Sequence, residues 1–543
     1  MKKAKLKCCW IQKLGLALLG ALIAVTGINR VQAQNKPNIL VIMGDDIGWY
    51  NTSIYNRGDM GYQTPNIDRI GKEGALFTCW YGQQSCTAGR AAFVTGQSPI
   101  RTGLTKVGLP GADIGLDPRD PSVADFMKNY GYATGQFGKN HLGDLNKFLP
   151  TVHGFDEFFG NLYHLNAEEE PENPDYPKDP SFRQKFGPRG VLHTWATDTD
   201  DPTVDPQFGR VGKQKIENTG PLTTKRMETI DDEFTDAAVD WIKKQVKSGK
   251  PFFCYYNSTR MHVFTHLKPE SQGKTGLGLY PDGMVEHDGH VGQLLNELDD
   301  LGIASNTIVV YTTDNGAEVF TWPDGGATPY RGEKAENWEG AYRVPTLIRW
   351  PGVIKSGTVY NDFFAHEDFI PTFAAAAGDP NLVEEVAKGY TIGDKTFKVH
   401  LDGYNLLPYF QGTVTNSPRK EFLYWSDDGD LFAIRVFDWK VSFLEQNGKV
   451  STPDNPLGVW QSQFTHLRVP NLYNLRSDPF ERGAESIYYG DWAAHRVFVQ
   501  VPIQAYVAKW LQSFKEFPIR QKPASFNLDE VMSKLESASQ AQN

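Results

Sequence analysis

The sequence is poor in cysteine: five stand in 543 residues, and two of them, Cys8 and Cys9, fall in an N-terminal stretch set aside below. The other three, Cys79, Cys86 and Cys254, are too few for a disulfide framework; at most one pair forms and one thiol is left over. Beyond residue 25 the chain also lacks any apolar run approaching the about 20 residues that a membrane-spanning helix needs. It has no excess of positive charge, with 55 Lys+Arg against 65 Asp+Glu and a net charge of −10. That balance argues against a nucleic-acid binder, which carries a basic face. Internal repeats and low-complexity tracts are missing, which argues against solenoid and fibrous architectures.

At the N-terminus, Lys2, Lys3, Lys5, Lys7 and Lys13 precede an apolar run over residues 14–25, and the stretch closes on Val31-Gln32-Ala33. This pattern predicts a secretory signal peptide over residues 1–33, cleaved after Ala33, and hence a periplasmic or secreted protein without stable membrane insertion. Without the leader's six basic residues the net charge falls from −10 to −16. A spare thiol in an oxidising compartment then asks for a reason; a buried, inert one is the plain alternative.

The remaining length is too great for one ordinary domain. Residues 39–43 form a short continuous apolar run that ends at Gly44-Asp45-Asp46, the pattern of a buried parallel strand. Further strands are expected over 133–137, 251–256 and 307–312. Helices are expected over 86–97, 121–130, 231–247 and 284–299. Strands alternating with helices predict an α/β fold: a large mixed, mostly parallel sheet sandwiched by helices. Residues 165–225, dense in Pro, Asp, Glu and Gly, read as an insertion or long loop over the core. After residue 415 the pattern becomes hairpin-linked strands at 422–426, 431–436 and 439–444 with a helix at 501–514, a smaller antiparallel α+β domain. The expected organisation is a leader over 1–33, a catalytic domain over 34–415 and a C-terminal subdomain over 416–543.

Ligands of open α/β sheets lie beyond the carboxyl ends of the strands. Here Asp45 and Asp46 follow one strand, Lys139 and His141 another, His262 a third, and Asp314 and Asn315 a fourth. The acidic and amide group offers hard oxygen ligands suited to calcium or magnesium rather than zinc. Lys139 supplies a cation for an oxyanion, and the histidines can move protons near neutral pH. Each piece alone has a blander reading: Asp-Asp as a cap, Asp-Asn-Gly as a turn. Their coincidence at four strand ends is what counts.

Ser85-Cys86-Thr87-Ala88-Gly89-Arg90 resembles the signature of the formylglycine-dependent (type I) sulfatases of the alkaline phosphatase superfamily, in which the cysteine is oxidised to an aldehyde. Residues 38–46, Thr64-Pro65-Asn66-Ile67-Asp68, Gly138-Lys139-Asn140-His141-Leu142-Gly143, Asp314-Asn315-Gly316, Gly332-Glu333-Lys334 and the late Leu472-Tyr473-Asn474-Leu475 also match that family, in its order. The resemblance implies an alkaline-phosphatase-like fold and hydrolysis of sulfate esters of the aryl or carbohydrate kind. It further implies one Ca2+ held by Asp45, Asp46, Asp314, Asn315 and residue 86, with Cys86 matured to 3-oxoalanine (formylglycine) by a formylglycine-generating enzyme. Arg90 would steady the matured residue, Lys139 and Lys334 would hold sulfate, His141 would act as base, and His262 would assist the leaving group. The sequence departs from the family pattern at Ala88, where Pro is common, at Glu333, where Gly is frequent, and at Met261, since the usual Pro-His pair is missing; His266 is a second candidate there.

Two rivals follow from the same residues. One is a phosphonate or phosphate ester hydrolase of the superfamily, and the other a catalytically inactive protein that binds sulfated glycans. Trp195, Trp322 and Trp338 are candidate stacking residues for a substrate ring, and core packing is the alternative for each.

Overall fold

The computed structural model describes residues 36–106, 108–446 and 457–526; the leader expected over residues 1–33 lies outside them. Ten strands make one sheet: β1 (Asn38–Gly44), β2 (Ala75–Tyr81), β3 (Ala133–Gly138), β4 (Glu157–Asn161), β5 (Val191–Asp205), β6 (Gly209–Asn218), β7 (Phe252–Asn257), β8 (Thr307–Thr313), β9 (Arg343–Arg349) and β10 (Thr358–Ala365). Their order is β10-β2-β9-β8-β1-β7-β3-β4-β5-β6. The five central strands β8, β1, β7, β3 and β4 are mutually parallel. They therefore release their chains at one edge, where Asp45, Ser258, Lys139, Leu162 and Asp314 begin the loops.

β1 is apolar throughout because both its faces are covered. Ile39, Val41 and Met43 enter one core and Leu40 and Ile42 the other, as the two-residue period of a strand requires. On the first face lie the helices Cys86–Thr95, Val123–Asn129 and Phe369–Ala377, contributing Phe93, Phe126 and Phe373. The helix Val123–Asn129 begins at a reciprocal cap: Ser122 Oγ accepts from the Asp125 N–H at 3.0 Å, and Asp125 accepts from the Ser122 N–H at 2.8 Å. On the second face lie Ile230–Ser248 and Leu279–Asp300, contributing Phe234, Trp241, Leu294 and Leu298. The latter helix begins five residues before the expected start, with Pro281 in its first turn, where a missing N–H costs nothing.

Residues 165–225 are not a long loop. They hold short helices at Leu165–Glu169 and Pro180–Phe186, and the hairpin β5–β6, which extends the large sheet. Register shifts between Ala196 and Asp201 and between Asp201 and Val204 break the alternation that would have revealed the strands in the sequence.

After a two-stranded ribbon, β11 (Tyr390–Ile392) and β12 (Lys395–Phe397), comes a second sheet. It is the antiparallel meander β13 (Glu421–Trp425), β14 (Leu431–Val436), β15 (Trp439–Gln446) and β16 (Phe464–Asn474). The helix Gln500–Gln512 covers one face with Ile503 and Trp510. The other face packs Phe422, Tyr424 and Phe432 against Tyr81 and Tyr342 of the large-sheet layer. The described residues from Asn38 onward gather as one compact unit.

A buried polar knot joins the two sheets. Glu339 accepts from Tyr81 at 2.8 Å and from Tyr424 at 2.6 Å. Lys440 lies 2.6 Å from Glu481 and 3.6 Å from Glu339, all three fully enclosed. A buried charge that loses its partner is costly. Lys440→Met should therefore lower unfolding free energy by about 3–5 kcal/mol, and adding Glu481→Gln should recover part of it, as read by denaturant unfolding of the three proteins.

Candidate active site

The carboxyl edge of the parallel strands brings together Asp45, Asp46, Cys86, Arg90, Lys139, His141, His262, Asp314, Asn315 and Lys334, but not His266, Trp195 or Trp338. Asp45 and Asp46 turn sharply out of β1, with Asp46 in the left-handed region at φ 57°. His141, after β3, also sits there at φ 61°. Non-glycine residues held in this region by their surroundings are a mark of functional sites. The turn after β1 is stapled to the chain leaving β7, with Asp45 N–H donating to Arg260 O at 2.9 Å and Met261 N–H to Asp45 O at 2.7 Å.

Cys86 is the first residue of the helix Cys86–Thr95, all ten residues of which are buried. Its N-terminus opens on the site, and unpaired N–H groups there suit an anion. The helix is fixed from two directions. A Cβ on Gly89 would lie 1.9 Å from the Asp314 carbonyl oxygen, so only glycine allows the helix to lie this close to the loop after β8. One turn on, Arg90 donates to Asp314 Oδ2 at 3.0 Å through Nε and lies 2.8 Å from it through a terminal nitrogen. It also donates to Asn257 Oδ1 at 2.8 Å and to the Lys139 carbonyl at 3.2 Å.

Two lysines complete an alternating ionic cluster. Lys139 Nζ is 2.5 Å from Asp45 Oδ2, and Lys334 Nζ is 2.7 Å from Asp46 Oδ2 and 3.1 Å from Glu318. Three carboxylates, Asp45, Asp46 and Asp314, thus face three cations, Arg90, Lys139 and Lys334, with side chains between 0% and 3% exposed. Burial pushes the Asp46 carboxyl up, but Lys334, His262 and Lys139 more than reverse it and hold it far below the usual carboxylate range. Burial, opposed by Arg90 and aided by Asp45 and Asp46, carries Asp314 up to about 6. Glu318 is carried by burial to about 8 in spite of Lys334, so it is neutral near pH 7.

The donor set is all oxygen. Asp45, Asp46 and Asp314 offer oxygens within 4.8 Å of one another. Asp45 Oδ1 and Asn315 Oδ1 are buried with no hydrogen-bond partner. Orphaned acceptors beside clustered carboxylates fit a hard divalent cation such as calcium.

Burial pushes the Cys86 thiol up to about 11 despite the nearby lysines. The unmodified sulfur is thus a protonated, weak nucleophile. Cys79 and Cys254 are also buried and free. Arg435 points at the Cys79 sulfur at 3.1 Å, and Cys254 lies inside β7.

The three imidazoles near the cluster are neutral. Burial, then the Lys139 charge, lowers His141 far below its ordinary value and His262 to about 3. Neither ring nitrogen of His141 has a hydrogen-bond partner. His262 Nδ1 is 2.8 Å from the Val263 carbonyl and Nε2 is 3.7 Å from Asp46. His266 points away, pairing with Glu169 at 2.7 Å. The sequence reading missed His164, which follows β4. It stacks on His262 at 5.8 Å and meets His141 edge-on at 5.6 Å. The Ala167 N–H donates to its Nδ1 at 3.2 Å, which leaves the proton on Nε2. Its signal was a histidine just past a strand, hidden because that strand was not recognised. Glu318 and Asn257 were missed as well. The first lies four residues after Asp314, and the second ends β7 beside the expected His262 loop.

Of the tryptophans, Trp338 is buried beneath Arg331 at 3.5 Å, and Trp195 lies on the hairpin beneath Lys215. Trp322 donates to the Met261 carbonyl at 3.0 Å.

A helix-covered, mostly parallel sheet with an acidic cluster and buried cations at its carboxyl edge defines a hydrolase of anionic esters. The sulfatase family profile matches residues 37–379. Human arylsulfatase A is 31% identical over 481 residues, covering 86% of this chain and 85% of its own. Canine N-acetylgalactosamine-6-sulfatase is 29% identical over 484 residues, covering 85% and 84%. The crystal structure of the PsFucS1 sulfatase from Pseudoalteromonas sp. superposes with a TM-score of 0.74 at 27% identity, covering 94% of this chain and 95% of that one. The chain belongs to the sulfatase family, in the formylglycine-type branch of the alkaline phosphatase superfamily, and is a sulfuric ester hydrolase. No helix among the described residues is long and apolar enough to cross a membrane.

With Asp314 carried by burial up to about 6, a proton would compete with a cation held there. Calcium affinity measured by calorimetry should be about tenfold weaker near pH 5 than near pH 7, and Asp314→Asn should abolish most of that pH dependence.

Proposed function

We propose that the chain hydrolyses sulfate monoesters of carbohydrates or aryl alcohols, with residue 86 as the nucleophile after maturation to formylglycine. The observation that carries this reading is the placement of Cys86 at a buried helix N-terminus beside Lys139 and Lys334, with its own thiol held protonated. The hydrated aldehyde would supply a geminal diol, one hydroxyl to bond to sulfur as the S–O bond to the alcohol breaks, and the other to lose its proton as sulfate departs and the aldehyde is restored. Asp45, Asp46, Asp314 and Asn315, with residue 86, would hold one calcium ion, which draws electron density from the sulfate oxygens.

The other roles belong to the chain's own groups. Arg90 positions residue 86 by fixing its helix to Asp314. Lys139 and Lys334 neutralise the sulfate oxygens, on which charge moves during transfer. A bound sulfate ester returns negative charge to the site and raises the proton affinity of nearby imidazoles. His141, with two unpartnered nitrogens, takes the proton of the matured residue, and His262 hands one to the departing alcohol. Residues 34–415 would form the catalytic domain and 416–543 the subdomain behind it. The leader expected over residues 1–33 supports export to the periplasm or beyond, and a formylglycine-generating enzyme would act on Cys86.

The test is the mass of the tryptic peptide 73–90 from protein exported by a host that matures sulfatases. Loss of one sulfur and two hydrogens with gain of one oxygen is expected, together with sulfate release from p-nitrophenyl sulfate. Sulfate release by protein whose Cys86 remains a thiol would overturn the formylglycine assignment. His141→Ala should lower kcat by about 10²–10⁴-fold, as measured on p-nitrophenyl sulfate with the matured protein.

A further inference from the structure

We propose that a groove beside the catalytic pocket is a second saccharide subsite, which takes an anionic sugar of the same chain whose sulfate ester is cleaved. The proposal rests on the sulfate-ester reading above and extends it to oligosaccharide substrates.

The groove encloses roughly 730 Å³, its lining including Arg183, Gln184, Arg189, Gln207 and Phe208. That falls among ligand cavities of about 300–1,000 Å³. One loop separates it from the active site. Asp144 lines a small pocket together with Thr87 and His141, and Asn146 lines the groove. Arg189 ties the two together, donating to the Asp144 carbonyl at 2.8 Å and to Asn146 Oδ1 at 2.6 Å.

The sheet topology explains the adjacency. β5 runs antiparallel to β4 with Val191 opposite Asn161, so Arg189 enters at the catalytic edge. The hairpin tip then curls back, where Asn146 donates to the Phe208 carbonyl at 2.8 Å and to the Gly209 carbonyl at 2.7 Å.

The lining is rich in N–H donors. The Arg183 guanidinium makes no hydrogen bond or salt bridge among the described residues, and neither does the Gln184 side chain; both residues are exposed on the helix Pro180–Phe186. Gln207 Nε2 is buried without a partner. The carboxylate of the lining, Asp205, accepts from the N–H groups of Gln207 and Phe208 at 2.8 Å each, both at Oδ1. Two arginines, of which Arg183 is uncommitted, against the one carboxylate of the lining, in a chain of net charge −10, make a local site for sulfate or carboxylate oxygens. Phe208, beneath Arg189 at 4.2 Å, adds an apolar floor.

The experiment uses full-length, calcium-loaded protein with Cys86→Ser, which prevents turnover. Calorimetry measures binding of di- to octasaccharides cut from chondroitin sulfate, heparan sulfate, carrageenan and sulfated fucan. At least one longer chain should bind about tenfold or more tightly than its own terminal disaccharide. Arg183→Ala/Gln184→Ala should remove that gain, and so should Val204→Trp, which fills the groove from its exposed side. In the Cys86 protein, both variants should leave kcat/KM for p-nitrophenyl sulfate unchanged. The proposal is overturned if no chain gains with length, if the gain survives both variants, or if chains desulfated and carboxyl-reduced beyond the terminal sugar bind equally well. A parent protein inactive on every sulfate ester would instead sink the underlying reading.

Discussion

Six buried charges at the edge of the parallel strands govern this molecule. Asp45, Asp46 and Asp314 alternate with Lys139, Lys334 and Arg90, shielded from water. Ion pairs of this kind return little net stability, since desolvation consumes the Coulombic gain. A fold that keeps six such charges together does so for a purpose other than folding. The cluster is balanced internally by its lysines, each spent on one carboxylate. A divalent cation among the carboxylates would leave those lysines with charge to offer an anion. Cation and anionic substrate are thus complementary additions to one lattice, and neither suits it alone.

Cys86 depends on the same lattice. Arg90 is both a member of the cluster and the anchor of the helix that begins at Cys86, and Gly89 lets that helix touch the backbone of Asp314. Residue 86 is therefore positioned by the groups that would hold the metal. The thiol itself gains nothing from this position, because its burial outweighs the nearby cations. An electropositive setting that still fails to ionise a cysteine is poor design for a thiolate enzyme. It suits a residue converted to something that needs no thiolate.

Much of this was legible in the sequence, for physical reasons that also mark the limits. Strands buried on both faces are continuous apolar runs, so β1, β7 and β8 and the polar residues at their ends stood out. The small sheet was readable from its closely spaced hairpins. The β5–β6 hairpin was not, because its bulges break the alternation and its Asp, Pro and Gly residues imitate a loop. Missing that hairpin hid β4 as a sheet member, and with it His164. Glu318 escaped because a lone glutamate after a turn carries no signature; only burial beside Lys334 gives it meaning.

The small sheet is more than an appendage. Ser85 and Gln84, just before Cys86, both donate to the Thr105 carbonyl, at 3.2 and 3.1 Å. Thr105 in turn donates to the Asp427 carbonyl at 2.7 Å, in the turn between β13 and β14. The adjacent Lys106 lines the pocket with His141 and pairs with Asp427 at 3.3 Å and with Asp428. The segment entering the helix Cys86–Thr95 is thus braced from behind by the second sheet. A wall of the pocket is held in place by carboxylates from that same turn. Strands so far apart in sequence therefore act on one site: the large sheet brings the charged groups together, and the small one fixes the approach to them.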